Sequence, residues 1–237
     1  MCDISQKAAA ELAFWQSRTQ HQPVLASPHG PGGTLTNDHY AYFYTAHFGW
    51  APEFYRGKRI LDIGCGPRGS LEWAAAAGLR IGADPLASAY RQFGTKRHRM
   101  YYVTCGAERL PFGAAAFDVV CAFNALDHVD DLALAVGEIK RVLAPQGHFL
   151  LLSEIHRQPT VLEPSAYSWD IVAWFQPELA VVAERHIEYT VFSPEGFGDI
   201  YQSLRRGMPF DHRDASERSG ILSAKFCKRG DFVYSHE

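Results

Sequence analysis

The residues best suited to chemistry lie in one short run, Leu61-Asp62-Ile63-Gly64-Cys65-Gly66-Pro67-Arg68-Gly69-Ser70. Glycine carries no Cβ, so the backbone at Gly64, Gly66 and Gly69 can adopt positive φ and come close to a ligand. Twenty residues past Gly64, Asp84 ends the next apolar run. A carboxylate there can accept hydrogen bonds from both hydroxyls of a ribose. The spacing also matches GxGxxG, so a nicotinamide dinucleotide is a competing ligand. Two residues count against it. Asp62 would repel a pyrophosphate and suits an ammonium group, and Pro67 removes one N–H from any anion cradle.

Eleven histidines offer candidate bases. His128 stands just past the fourth apolar run, where open α/β sheets bind ligands. Asp127, Asp130 and Asp131 are close in sequence, so His128 reads either as a general base with a carboxylate neighbour or as a loop histidine beside a helix start. A metal site from these four residues fits no ligand spacing that can be defended. His156, two residues after Glu154, is the second candidate base, or half of an exposed strand-end pair. His148 and His186 lie inside predicted strands and read as structural.

Regular elements must position these groups. KRILDIG, RIGADP, RMYYVTCG, FDVVCAFNAL and HFLLLSEI read as five strands, nearly all apolar. SLEWAAAAGL, PLASAYRQFG and DLALAVGEIKRVLAPQG read as helices between them, with Ser70 a cap and Gly78 a stop for the first. This alternation predicts a parallel sheet covered on both faces. Residues 156–178 are irregular and aromatic, with a helix expected over Ser168–Phe175. AVVAERHIEYTVF and GILSAKFCK then predict two more strands, an antiparallel addition at the sheet edge. A helix is expected over Ser5–Ser17, then a Pro/Gly-rich loop, then a helix through HYAYFYTAHFGW capped by Asn37 or Asp38.

Four stretches, RILDIGCGPRGS, IGADPL, CGAERLPF and FDVVCAFNALDHVDDLALAVGEIKRVLAPQGHFLLL, together resemble the class I S-adenosylmethionine-dependent methyltransferases, in their small-molecule, Methyltransf_11-like branch. The resemblance implies an α/β fold: a Rossmann-like, doubly wound, mostly parallel seven-stranded sheet with an antiparallel C-terminal strand, an N-terminal helical lid and a small cap after strand five. It divides the chain into a lid segment, 1–57, and a methyltransferase domain, 58–237, with the cap at about 156–178. It implies S-adenosyl-L-methionine as cofactor, with Gly64 and Gly66 against the methionine part, Asp62 near its ammonium and Asp84 on the ribose. Leu86, Ala107 and Glu108 would flank adenine, while Asn124 and Leu126 would line the sulfonium side. Tyr40 and Tyr44 belong to an aromatic stretch that either closes over the cofactor or packs on the domain. The family often carries Asp before the Ala-Glu pair, bonded to the adenine amino group; here that residue is Gly106. Glu108, a backbone carbonyl or packing must take over that contact.

Methyl transfer from a sulfonium requires placement and exclusion of water, and a base only when the acceptor holds its proton. No metal is required. Trp169, Trp174 and Phe175 could wall an acceptor pocket or fill the cap's core. Arg205, Arg206 and Arg213 read as a solvated face or a contact for an anionic acceptor. The strand-four end, Asn124-Ala125-Leu126-Asp127, lacks the Pro-Pro-aromatic clamp of enzymes that methylate flipped-out bases. Lys and Arg number 23 against 26 Asp and Glu, a net charge of −3, so nothing points to nucleic acid. Apolar residues make up 47% and charged residues 21%, a globular composition with no run suited to a membrane span. Five scattered cysteines without a CxxC pair, and a start unlike a signal peptide, predict reduced thiols in the cytoplasm. The expectation is a monomeric or homodimeric methyltransferase of a small molecule, favouring oxygen over nitrogen or carbon. The alternatives are an NAD(P)-dependent oxidoreductase and a non-methylating binding protein on the same fold.

Overall fold

A computed structural model describes residues 6–21, 29–30, 34–35, 38–155, 158–188 and 220–230. Seven strands form one sheet: β1 (Arg59–Ile63), β2 (Leu79–Ala83), β3 (Tyr101–Val103), β4 (Phe117–Phe123), β5 (Leu143–Ile155), β6 (Leu179–Glu188) and β7 (Gly220–Lys228). The spatial order is β3-β2-β1-β4-β5-β7-β6. β7 pairs antiparallel with both β5 and β6, and the remaining pairings are parallel. This is the expected doubly wound sheet with an antiparallel C-terminal strand. The added pair sits at the edge as anticipated, with β7 on the inside and β6 as the outer strand.

Alternate residues of the central strands feed two apolar layers, as the two-residue period of a strand requires. Leu61, Ile63, Val120 and Ala122 pack on one face. Ile60, Val119, Cys121 and Leu150 pack on the other, against Phe43, Tyr44 and Tyr55. At the far side, Phe149, Phe175 and Phe226 meet with ring centroids 4.8, 5.0 and 5.6 Å apart. That cluster ties β5, β7 and the residues after α4 (Ile171–Trp174) together.

Two expected helices take another form. Residues 70–77 form successive tight turns, with Glu72 N–H bonded to Gly69 O and Ala74 N–H to Leu71 O. The Arg80 guanidinium binds the carbonyls of Leu71 and Glu72, oxygens that a helix would need for its own amides. The buried Glu72 carboxylate is drawn to the amides of Arg99 and Met100. The second segment is a pair of 3-10 turns, Ala89–Phe93 and Thr95–Arg97, separated by Gly94 at φ +90°. Tertiary contacts override helix propensity in both. The third expected helix is regular: α3 (Leu132–Val142) begins at Asp131, whose side chain accepts the Leu134 N–H at 3.0 Å.

The N-terminal residues form α1 (Gln6–His21) and α2 (Asp38–Tyr44). α1 is moored by Lys7 Nζ to Asp130 Oδ1 at 2.7 Å and by Trp15 set edge-on to Tyr90. Asn37 and His156 lie outside the described residues, as do Cys2, Arg205, Arg206 and Arg213. Cys65, Cys105, Cys121 and Cys227 are free thiols. Among the described residues, no helix is long and apolar enough to cross a membrane.

Candidate active site

A cavity of about 540 Å3 opens at the C-terminal ends of β1, β2, β4 and β5, with α1 and α2 along its walls. This is where open α/β sheets bind ligands. Its floor is the glycine turn, with φ of +69°, +57° and +69° at Gly64, Gly66 and Gly69. A Cβ at Gly64 would run into the Cβ of Ala125, and one at Gly66 would meet the Trp15 ring at 2.9 Å. Only glycine lets the turn pass so close to both.

All three glycine amides are engaged within the protein. Gly64 N–H donates to Ala83 O at 2.8 Å, Gly66 N–H to Asp84 Oδ2 at 3.1 Å and Gly69 N–H to Tyr102 Oη at 3.0 Å. No helix N-terminus follows. A pyrophosphate cradle needs those amides free and a helix dipole behind them, so the turn is not built as one.

Two carboxylates line the cavity instead. Asp62 is 2% exposed and accepts hydrogen bonds from the Tyr44 and Ser70 hydroxyls. Burial pushes its carboxyl up to about 7, against the lowering effect of those two donors. Asp84 accepts the Leu86 N–H at 2.8 Å through its second oxygen, and burial raises it to about 6. Both groups sit where a cation or a set of hydroxyls would relieve the cost of charging them.

Tyr40, Tyr44, Leu86, Ala107, Glu108 and Asn124 also line the cavity. Asn124 follows β4 at φ +47°, its N–H bonded to Leu152 O at 2.8 Å. Leu126 does not reach the wall. The turn at Asn124 presents Ala125 to Gly64 and sends Leu126 into the core, where it is fully buried. Trp169 and Phe175 pack in or against the core, and Trp174 is exposed; none lines the cavity. The cap contributes Leu162 and Glu163 to the wall.

His128 lines the cavity with Nδ1 3.8 Å from Glu11 Oε2. Asp127, His128 and Glu163 bring one donor atom each within 4.8 Å of one another. Asp130 and Asp131, grouped with His128 by sequence, are used elsewhere: Asp130 binds Lys7, and Asp131 caps α3. An N-terminal helical lid was expected over 1–57, but none of the α1 residues that line the cavity was singled out. Lys7, Glu11 and Trp15 recur every fourth residue, which places them on one helical face, and all three line the cavity.

Residues 61–151 match a family model described as a methyltransferase domain, Methyltransf_11. Over those residues the chain resembles the class I S-adenosylmethionine-dependent methyltransferases. A malonyl-[acyl-carrier protein] O-methyltransferase from Erwinia billingiae is 27% identical to it over 184 residues, 73% of each chain. A tRNA U34 carboxymethyltransferase from Geobacter sp. is 28% identical over 134 residues, 52% of this chain and 41% of that one. Other curated relatives are matched over 44% and 35% of their own length. Among solved structures, the geranyl diphosphate C-methyltransferase from Streptomyces coelicolor A3(2) superposes with a TM-score of 0.57 at 18% identity. That superposition covers 88% of this chain and 87% of that one, so the two share a fold.

Proposed function

We propose that the protein transfers the methyl group of S-adenosyl-L-methionine to a small-molecule acceptor, with a hydroxyl oxygen favoured over nitrogen or carbon. The observation that carries this reading is the pair of buried carboxylates, Asp62 and Asp84, beside a glycine turn whose amides are already bonded. That donor and acceptor set fits a cationic nucleoside and not a dinucleotide.

Asp62 takes the ligand's ammonium. Asp84 takes the ribose hydroxyls through the lone pairs left after its two backbone bonds and the hydrogen bond from the Tyr90 hydroxyl. Gly64 and Gly66 let the methionine part lie against the backbone, Asn124 borders the sulfonium side, and Leu86 and Ala107 face the adenine. Tyr40 and Tyr44 close the cavity from α2. Bound here, S-adenosylmethionine supplies a methyl group already activated on sulfur. The chain's part is to hold the acceptor in line with that bond and keep water out. His128 serves a hydroxyl acceptor as general base: Nδ1 faces Glu11, so Nε2 receives the proton, and the Glu11 carboxylate balances the imidazolium. Among the described residues, the acceptor end carries Asp127, Glu154 and Glu163. This wall favours a small acceptor over a phosphate backbone.

Titration calorimetry with S-adenosylmethionine, S-adenosylhomocysteine and NAD tests the reading. The two sulfur nucleosides are expected to bind, and preference for NAD would overturn it.

A further inference from the structure

Resting on the reading of His128 as the base, we propose that Ser165 of the cap is a positioning residue for that histidine, gripping the peptide groups on either side of it. Ser165 N–H donates to Asp127 O at 3.0 Å, and Ser165 Oγ donates to Val129 O at 2.7 Å. Those two carbonyls flank His128 in the chain.

The other halves of the same two peptide groups are held as well. His128 N–H, which shares a peptide group with Asp127 O, donates to Ala125 O at 3.2 Å. Asp130 N–H, which shares one with Val129 O, donates to Glu108 Oε1 at 2.8 Å. A peptide group is planar, so a bond at each end fixes its orientation. The chain from His128 to Val129 therefore runs between two fixed planes, and Ser165 supplies one half of each. The backbone that carries the imidazole has little room to turn. This keeps Nδ1 towards Glu11, whose Oε2 is 3.8 Å away and whose Oε1 accepts the Trp15 Nε1–H at 2.9 Å.

The cap is built to carry this grip. Thr160 N–H donates to Glu163 O and Glu163 N–H donates to Thr160 Oγ1, both at 2.9 Å, which closes a tight turn. Pro164, with its fixed φ, joins that turn to Ser165. Two residues further on, Tyr167 bonds the Ser153 hydroxyl of β5 and packs against the core. Leu162 and Glu163 of the same segment line the cavity. One short stretch of chain thus shapes the acceptor wall and holds the base. The precision matters, because a displacement of about 1 Å can cost about a hundredfold in rate.

The test reads the imidazole itself and needs no acceptor. Nitrogen-15 NMR of histidine-labelled protein in mildly alkaline buffer reports both ring nitrogens, and the His128→Gln spectrum identifies the His128 pair. The wild type is expected to show one tautomer, with hydrogen on Nδ1 beside Glu11 and a bare Nε2. In Ser165→Ala the bond to Asp127 O stays and the bond to Val129 O is lost. The two ring signals then move towards each other as tautomers mix, and the Asp130 amide exchanges about fivefold faster. Ser165→Thr, which keeps the hydroxyl, restores the wild-type signals. A serine that merely filled space in the cap would give way to alanine without touching the tautomer. Unchanged His128 signals in Ser165→Ala, or mixed tautomers in the wild type, overturn the inference. The base reading fails separately, if His128→Ala still methylates hydroxyl acceptors at the wild-type rate.

Discussion

Asp62 illustrates how much of this site is decided by single groups. Its burial raises the carboxyl to about 7, so near pH 6 to 6.5 it is largely protonated in the empty protein. The unfolded value is the ordinary 3.8, so between about pH 4 and 7 the folded state binds more protons than the unfolded one. Stability contributed by this group is full below the lower value and declines as pH rises through the upper one. A ligand ammonium beside Asp62 favours the charged form, so binding should release a proton. Calorimetry at pH 6.5 in two buffers of different ionisation heat is expected to show that release, and Asp62→Asn should remove it. At Asp84, replacement by Ala should weaken S-adenosylhomocysteine by more than about 1 kcal/mol; an unchanged affinity would refute its ribose role. For His128, the Ala variant is expected to lose turnover on a hydroxyl acceptor far more than it loses affinity for S-adenosylhomocysteine. Equal losses would make the histidine a wall and not a base. Several of these residues were legible from type and spacing alone, because a glycine turn with flanking acids is a local pattern. Leu126 was misjudged, since the positive φ at Asn124 that turns it inward leaves no mark in its neighbours.

At the scale of elements, α1 lies outside the sheet and meets it through side chains, with Glu11 beside His128. Lys7 binds Asp130, Trp15 leans on Gly66 and Tyr90, and the Arg68 guanidinium lies 5.6 Å from the Trp15 ring. A terminal helix outside the hydrogen-bonded sheet opens at lower free energy than the central strands. Hydrogen exchange is expected to be faster in residues 6–17 than in β4, and to slow when S-adenosylhomocysteine binds. Protection that does not respond to the ligand would separate α1 from the site. Strands were readable because an apolar run bounded by glycine specifies a buried parallel strand. The segments after β1 and β2 were read as helices from alanine content and a cap. That reading failed because Arg80 and Glu72 claim backbone groups from a distance.

Across the whole molecule, the antiparallel β7 joins the edge of the sheet to its centre through the Phe149, Phe175 and Phe226 cluster. Truncating Phe226, which is fully buried, should cost about 3–5 kcal/mol in chemical denaturation. A loss below about 1 kcal/mol would mean that β7 does not share in the cooperative core. The amino-acid sequence by itself determined the succession of strands along the chain, the parallel sheet, the glycine turn and the acids on either side of it. Those follow from periodicity and residue type within a few positions. Only the tertiary structure decided that the turn's amides are already bonded, that α1 covers the cavity and that Glu108 lies over Gly106. The deciding partners of the amides and of α1, such as Asp84 for Gly66, Tyr102 for Gly69 and Asp130 for Lys7, stand 18, 33 and 123 residues away. Glu108 is only two positions from Gly106, but the amides of Asp130 and Asp131 that aim its carboxylate come from another element. No local pattern carries the direction of a hydrogen bond across that distance.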